Sequence, residues 1–235
     1  LYAGKFKMDI WEQMQPHLDS IEQVYFAGGE PLMMEEHWLI VNALIERERF
    51  DVRLIYNTNF SQMVYKGQNV LEMWKLFDSV SIGASLDAMG PRAENMRKGT
   101  DWAQVERNRE EMLKICPGVD FYISPTLSIL NSYHIVDFHR DWINKGFLKP
   151  WELNVNILQS PEYYRIDTLL PEMKQEIKHI YDEHIAWLEP QDNLTRATNG
   201  FKSAVDFMMG TDNTQLLPQF RAYTDKMDLR RNEQT

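Results

Sequence analysis

The chain has 235 residues, 43% of them hydrophobic, which suits one main domain with a sizeable core. Thirty-five acidic residues against 25 basic residues give a formal net charge of −10. No cluster of lysine or arginine stands out, so we expect no nucleic-acid partner. No apolar stretch reaches the ~18 residues that a membrane span needs, and no signal-peptide pattern is present, so we expect a soluble, cytoplasmic protein without a membrane partner.

Helix-like and strand-like segments alternate along most of the chain. Apolar residues at helical spacing first predict a helix over 8–19. The predicted strands that follow are 22–27, 52–56, 79–85, 120–127 and 153–158, and the helices between them are 35–49, 68–77, 101–115 and 132–145. Strands separated by helices pair in parallel, so the series predicts an α/β fold. A barrel and an open sheet both satisfy this pattern.

The pattern changes after residue 160. Pro161 and Pro171 frame a loop, and helices are then predicted over 172–188, 200–209 and 213–224. The sequence therefore predicts a βα domain over 1–160 and a helical extension over 161–235. The polar last residues suit a solvated tail or a link to a further segment.

Polar residues and glycines follow the predicted strands. Ligands of parallel α/β proteins bind at the carboxyl ends of strands, so these positions are the candidate site. They are Gly28, Gly29, Glu30 and Pro31 after the first strand, Asn57, Thr58 and Asn59 after the second, Ser85 and Asp87 after the third, Ser128 and Asn131 after the fourth, and Gln159 after the last. The alternative interpretation is that these residues only form turns and helix caps.

Glu30 is the acidic residue of this set that suits an ammonium ligand. Gly28 and Gly29 allow the backbone to approach a ligand closely, and Pro31 biases Glu30 toward an extended conformation that directs its carboxylate. No lysine followed by serine or threonine comes after the glycines, and no G-x-G-x-x-G spacing exists, so a phosphate-binding loop is disfavoured.

Three motifs in this order resemble the radical S-adenosylmethionine (SAM) enzymes. They are GGEP at 28–31, YNTN at 56–59 and SLDAMGPRAENMRKGT at 85–100. Together with SPTLSILN at 124–131 and the stretch at 154–177, they are similar to the branch of that family that carries SPASM or twitch domains. The resemblance extends from about Ile10 to Asn232, and it implies a partial (β/α)6, TIM-like barrel whose first strand is missing.

The resemblance also implies which residues bind SAM. Gly28, Gly29 and Glu30 would hold its methionyl amino group. Pro31 would shape the turn that contains Gly28, Gly29 and Glu30. Thr58 and Asn59 would line the end of the second strand. Ser85 and Asp87 would face the ribose or the carboxylate. The resemblance also implies that Arg97 contacts the carboxylate, Asn131 the adenosine and Leu158 the adenine. The alternative interpretation of Arg97 is a solvent-exposed arginine in a loop.

One departure from the family concerns its iron–sulfur cluster. Radical SAM enzymes hold a [4Fe-4S] cluster with a C-x-x-x-C-x-x-C loop after the first barrel strand, whereas Cys116 is the only cysteine of this chain. Five strands are predicted where the family has six. We interpret the chain as lacking the first strand and the cluster loop, in preference to a cluster-free relative. Cys116 itself is predicted to be a buried, unreactive thiol.

Two functions of different classes follow. The resemblance implies the core of an enzyme that cleaves SAM to a 5′-deoxyadenosyl radical, takes electrons from a donor such as flavodoxin or ferredoxin, and modifies a substrate, with a peptide or protein fitting best. The alternative is a non-catalytic barrel that binds SAM or a peptide as a scaffold. The histidine spacings, five residues in both the 134/139 and the 179/184 pair, predict no metal site.

Overall fold

The predicted alternation of strands and helices is present and builds a parallel sheet. A computed structural model describes residues 10–231. Its strands are β1 (Gln23–Phe26), β2 (Arg53–Thr58), β3 (Val64–Tyr65), β4 (Gln68–Asn69), β5 (Val80–Ala84), β6 (Asp120–Ile123), β7 (Thr126–Leu127) and β8 (Asn156–Ile157). One sheet has the order β1-β2-β5-β6, and β2 pairs in parallel with both β1 and β5. The predicted α/β fold with a parallel sheet is therefore confirmed.

The helices follow the predicted segments with shifted ends, except α4, which the sequence pattern did not predict. They are α1 (Ile10–Met14), α2 (Glu35–Glu46), α3 (Val70–Trp74), α4 (Gly90–Met96), α5 (Trp102–Ile115), α6 (Ile135–Asn144), α7 (Pro171–Leu188), α8 (Arg196–Gly210) and α9 (Leu217–Arg231). The helix predicted over 8–19 gives way after Met14 to a 3₁₀ turn that contains Pro16, because proline cannot donate to the helical ladder. Residues 8 and 9 of that prediction lie outside the described part of the chain.

Three predictions are wrong in detail. The strand predicted over 120–127 is interrupted at Pro125, which has no N–H to donate, and its second part forms a separate parallel pair with β8. The helix predicted from residue 68 starts only at α3, because Gln68–Asn69 pairs in the short hairpin of β3 and β4. The helix predicted over 213–224 is found at Leu217–Arg231, so it includes the first residues of the predicted polar end.

The described residues form two compact units. The first includes the chain as far as Ser85 together with Ala103–Phe121, and the second includes Leu86–Trp102 and the chain from Tyr122 onward. Neither unit ends at residue 160, so the predicted domain boundary there stays a prediction. Among residues 10–231, no helix has the length and apolar character to cross a membrane.

The core of the first unit lies between the sheet and α2. Val24 and Phe26 are buried on one face of β1, and the Phe26 ring stacks on Tyr56 at 4.9 Å between centroids. His37 of α2 meets the same phenylalanine edge-on at 4.8 Å. All five residues of β5 are buried, as expected of a central parallel strand. The packing holds the carboxyl ends of these strands at fixed positions.

Buried histidines occur in both units. In the second unit, Nδ1 of His139 lies 3.0 Å from Nε2 of His184, and the Arg140 Nε–H donates to Nδ1 of His184 over 3.0 Å. Because arginine only donates, His184 must carry its proton on Nε2 and donate it to His139. Burial lowers the pKa of both histidines to about 3, and burial does the same to His37 in the first unit.

We expect the free energy of unfolding to fall as the pH drops from 6.5 toward 3. Unfolded histidine protonates near 6.5, whereas these three protonate near 3 in the fold, so the unfolded state binds more protons in this window. Each buried histidine then removes about 1.4 kcal/mol of stability per pH unit. Urea titrations at several pH values between 7.5 and 4.5 measure the slope of the free energy of unfolding against pH. His37→Phe should lower the slope by that amount, while the exposed control His179→Gln should not; equal slopes would contradict the assignment.

Candidate functional site

The turn after β1 places a carboxylate at the end of that strand. Gly28 has φ +95°, a left-handed conformation that glycine adopts at little steric cost. Pro31 begins a 3₁₀ turn, and Glu30 caps it from an extended conformation with φ −106° and ψ 106°. The Leu32 N–H donates to Oε1 of Glu30 over 3.2 Å. The extended conformation predicted for Glu30 from the proline that follows it is therefore confirmed.

The end of β2 binds the same carboxylate. The Thr58 hydroxyl donates to Oε1 of Glu30 over 2.7 Å, and the Asn59 N–H donates to Oε2 over 2.7 Å. We call Glu30, Thr58 and Asn59 the glutamate cluster. An ionised carboxylate has about four acceptor positions, and three donors occupy Glu30, so Oε2 keeps one position for a further donor. Glu30 is half-buried and thus remains accessible.

Open space lies beside Gly29. A Cβ added at Gly29 would meet no atom within 4 Å, and Gly29 has no left-handed φ of the kind that Gly28 has. The packing of the described protein therefore does not require a glycine at position 29. The space is adjacent in the chain to Glu30, where a ligand atom could approach the backbone.

Ser85 directly follows β5, the third strand of this set. Its N–H donates to the Thr58 carbonyl over 2.8 Å, which continues the parallel pairing of β2 and β5 by one residue. The segments after β1, β2 and β5 thus start at the same edge of the first unit's sheet, as the sequence predicted. Within this unit the structure brings together Gly28, Gly29, Glu30, Pro31, Thr58, Asn59 and Ser85.

The second unit contains a separate group of predicted site residues around a buried aspartate. Asp87 is 8% exposed; its Oδ2 accepts from the Arg97 Nε–H over 2.6 Å and its Oδ1 from the Thr126 N–H over 2.7 Å. The Asn131 amide donates to the Asp87 carbonyl over 2.7 Å and to the Thr126 carbonyl over 3.1 Å. We call Asp87, Arg97, Thr126 and Asn131 the aspartate cluster.

Arg97 is the accessible member of the aspartate cluster. The ion pair uses its Nε, and its side chain is 40% exposed against 10% for that of Asp87. The two terminal nitrogens are thus further donors directed by a buried partner, a geometry that suits a carboxylate. Leu158 also lies in this unit, where its N–H donates to the Leu127 carbonyl over 3.0 Å.

A cavity of about 190 Å³ also lies beside β1 in the first unit. Its lining is mostly apolar and includes Ile10, Met14, Phe26 and Ile40, and Pro31 is the predicted site residue among them. Ligand pockets for drug-sized molecules measure about 300–1,000 Å³. The cavity opens at the surface, because Tyr25 and Met34 in its lining are exposed, and it is too small to be the candidate site.

Sequence reasoning missed two groups that organise these clusters. Thr126 contributes a backbone N–H, which any residue other than proline supplies, so no side-chain signal exists for it. Asn108 of α5 binds the carbonyls of Phe60 and Ser61 after β2. Its signal is an amide in the apolar stripe of α5, three residues after Val105 and four before Met112, both fully buried. A buried polar residue in such a stripe needs a partner.

No known family profile matches the chain, and no curated protein does. Solved structures do. SuiB of Streptococcus suis, bound to S-adenosylmethionine, matches with a TM-score of 0.52 and 15% identity, over 76% of this chain and 39% of that chain. Native anSMEcpe with bound AdoMet and Cp18Cys peptide matches with a TM-score of 0.47 and 19% identity, over 70% of this chain and 48% of that chain. This chain therefore spans less than half of these proteins, and the likeness to SuiB shows a shared fold.

We expect Gly28 and Gly29 to differ in their tolerance of alanine. Gly28→Ala should lower the free energy of unfolding by about 1–2 kcal/mol, because an L side chain is strained in the left-handed region. Gly29→Ala should leave stability unchanged, because its Cβ meets no atom within 4 Å. Urea unfolding of both variants beside wild type measures the difference. A destabilised Gly29→Ala would show that position 29 is a structural glycine.

Proposed function

We propose that this chain is the SAM-binding core of a radical SAM enzyme. The observation that carries the proposal is the Glu30 carboxylate, held by three donors at the end of β1 with one acceptor position left over. The sequence resemblance and the fold shared with SAM-bound SuiB support it. An α-ammonium group is the ligand chemistry that this carboxylate fits, because a charge-assisted hydrogen bond forms without moving the carboxylate.

The resemblance implies a partner for each charged end of the methionyl group. We assign the amino group to Glu30, with Gly28 and Gly29 allowing its approach. The contact of Arg97 with the carboxylate is proposed from the resemblance alone. Buried Asp87 holds the guanidinium through Nε, so that its terminal nitrogens remain for the ligand. The contacts of Pro31, Thr58, Asn59, Ser85, Asn131 and Leu158 with SAM are proposed from the resemblance alone.

The residues of this chain do not fit the iron–sulfur cluster of the family. Cys116 is its single cysteine, is 3% exposed, and has a pKa raised by burial to about 11. Among residues 10–231 no three histidine, cysteine, aspartate or glutamate side chains are grouped as metal ligands. The proposal therefore places the cluster on polypeptide outside these 235 residues, and the chain's own part is to bind and orient SAM.

Several finer expectations belong to this proposal. They are the partial (β/α)6 barrel, the SPASM or twitch character of the region after residue 160, a peptide or protein substrate, and an electron donor such as flavodoxin or ferredoxin. The strand order β1-β2-β5-β6, in which β2 is parallel to both of its neighbours, supports the barrel. A scaffold that binds SAM without cleaving it is the second candidate, and the single buried cysteine is the observation that favours it.

We expect Glu30→Gln to weaken SAM binding by about tenfold or more, because a charge-assisted hydrogen bond contributes about 1.5–3 kcal/mol. Glutamine also replaces one acceptor oxygen by a donor, which disturbs the turn itself. Titration calorimetry with two ligands separates these effects: SAM, and 5′-methylthioadenosine, which lacks the amino acid. Only SAM should bind more weakly to the variant. Glu35→Gln, which changes an exposed glutamate paired with Lys66, is the matched control and should bind both ligands as wild type does.

Two other results of this titration would contradict the proposal in different ways. Equal losses for both ligands would show that Glu30 braces its own turn and does not bind the ammonium. No SAM binding by the folded wild-type chain would contradict the proposed function of this chain.

We expect the chain to take up no stoichiometric [4Fe-4S] cluster when it is incubated with iron and sulfide under reducing, anaerobic conditions. A cluster needs several thiolates, and this chain offers one buried thiol. Iron and sulfide analysis after gel filtration, with the visible spectrum, measures the uptake. Cys116→Ser is the control and should behave as wild type does. Four irons per chain, lost in Cys116→Ser, would overturn the assignment of the cluster to other polypeptide.

A further inference from the structure

The loop that binds Glu30 is itself held by a buried side chain from a distant helix. Asn108 in α5 is 2% exposed, and its Nδ2 donates to the Phe60 carbonyl over 2.9 Å and to the Ser61 carbonyl over 3.1 Å. Its Oδ1 accepts from the Gln104 amide over 2.7 Å. The amide of Asn108 thus makes three hydrogen bonds, and both of its donor contacts go to the two residues that follow the glutamate cluster.

The loop needs such a partner because its backbone is strained at Phe60. Phe60 has φ +58°, a left-handed conformation that is rare for a bulky residue without a specific partner. Its ring is fully buried and lies 5.0 Å from the Phe121 ring. Its N–H donates to the Thr58 hydroxyl over 3.0 Å, and its carbonyl accepts from Asn108. Contacts on both sides of Phe60 therefore hold the left-handed turn.

The left-handed turn determines which groups face Glu30. The Thr58 hydroxyl accepts from the Phe60 N–H and donates to Oε1 of Glu30. The Asn59 N–H, one residue before the turn, donates to Oε2. If Phe60 left the left-handed region, the peptide between Thr58 and Phe60 would rotate, and Glu30 would lose one or both of these donors.

We propose that Asn108 is a positioning residue for the Glu30 carboxylate: it holds the Phe60 turn, and through it the two donors from β2 that orient Glu30. The identity of the ligand that Glu30 then binds, SAM, rests on the proposed function. The positioning itself rests only on the hydrogen bonds between Asn108, the 58–61 loop and Glu30.

The test uses Asn108→Ala, with Gln104→Ala as the matched control. Gln104→Ala removes a hydrogen bond to the same asparagine but leaves both contacts with the loop. Hydrogen exchange of the Asn59 amide, followed by NMR, reports the donor to Glu30 without any ligand. We expect exchange at Asn59 to accelerate at least tenfold in Asn108→Ala and to stay unchanged in Gln104→Ala, while the Leu54 amide of β2 stays protected in both. If Asn108→Ala does not fold, Asn108→Ser leaves room for a water and provides the same comparison.

A ligand cycle then separates positioning from general stability. Asn108→Ala should weaken SAM binding without weakening 5′-methylthioadenosine binding, and in the Glu30→Gln background it should cause no further loss. Protected Asn59 exchange in a folded Asn108→Ala or Asn108→Ser variant would overturn the inference, as would fully additive losses of SAM affinity. If wild type binds neither ligand, the proposed function fails, and the exchange result still decides whether Asn108 positions Glu30.

Discussion

The hydrogen bonds accepted by the Glu30 carboxylate are the interaction on which the candidate site of the first unit depends. Two of its donors are backbone amides, of Leu32 and Asn59, and the third is the buried hydroxyl of Thr58. Backbone and buried donors have few alternative positions, so the carboxylate loses its conformational freedom when the protein folds. A ligand ammonium group then does not have to order it, which favours binding. The turn after β1 and the end of β2 are joined by the same contacts.

The parallel sheet supplies the reason why these groups meet at all. In parallel strands every carboxyl end lies at the same edge. Glu30 in the turn after β1 is therefore a neighbour of Thr58 and Asn59 at the end of β2, although 28 and 29 positions separate them in the chain. The central position of β5, buried throughout, keeps that edge rigid. The loop after β2 keeps Phe60 in a left-handed conformation, because Thr58 binds the Phe60 N–H and Asn108 binds the Phe60 carbonyl.

The second unit uses a buried carboxylate in another way. Both oxygens of Asp87 are taken up inside the protein, by Arg97 and by the Thr126 amide. The buried aspartate therefore directs a cation toward solvent, whereas Glu30 keeps an acceptor position of its own.

The sequence alone determined the type of fold and the positions worth studying. Periodicity identified β1, β2, β5 and the helices α2, α5, α6 and α7, because local hydrophobic spacing reports which face of a segment is buried. The strand-end rule identified Glu30, Thr58 and Asp87, because chain order alone places residues after parallel strands. The tertiary structure decided how those residues are held, through the left-handed conformation of Phe60, the hydrogen bonds of Asn108 and the Thr126 N–H. It also decided that the predicted fourth strand is interrupted at Pro125. Thr126 binds a partner 39 residues away in the chain, and Asn108 binds one 48 residues away. No local sequence pattern specifies which distant backbone group a buried side chain will contact.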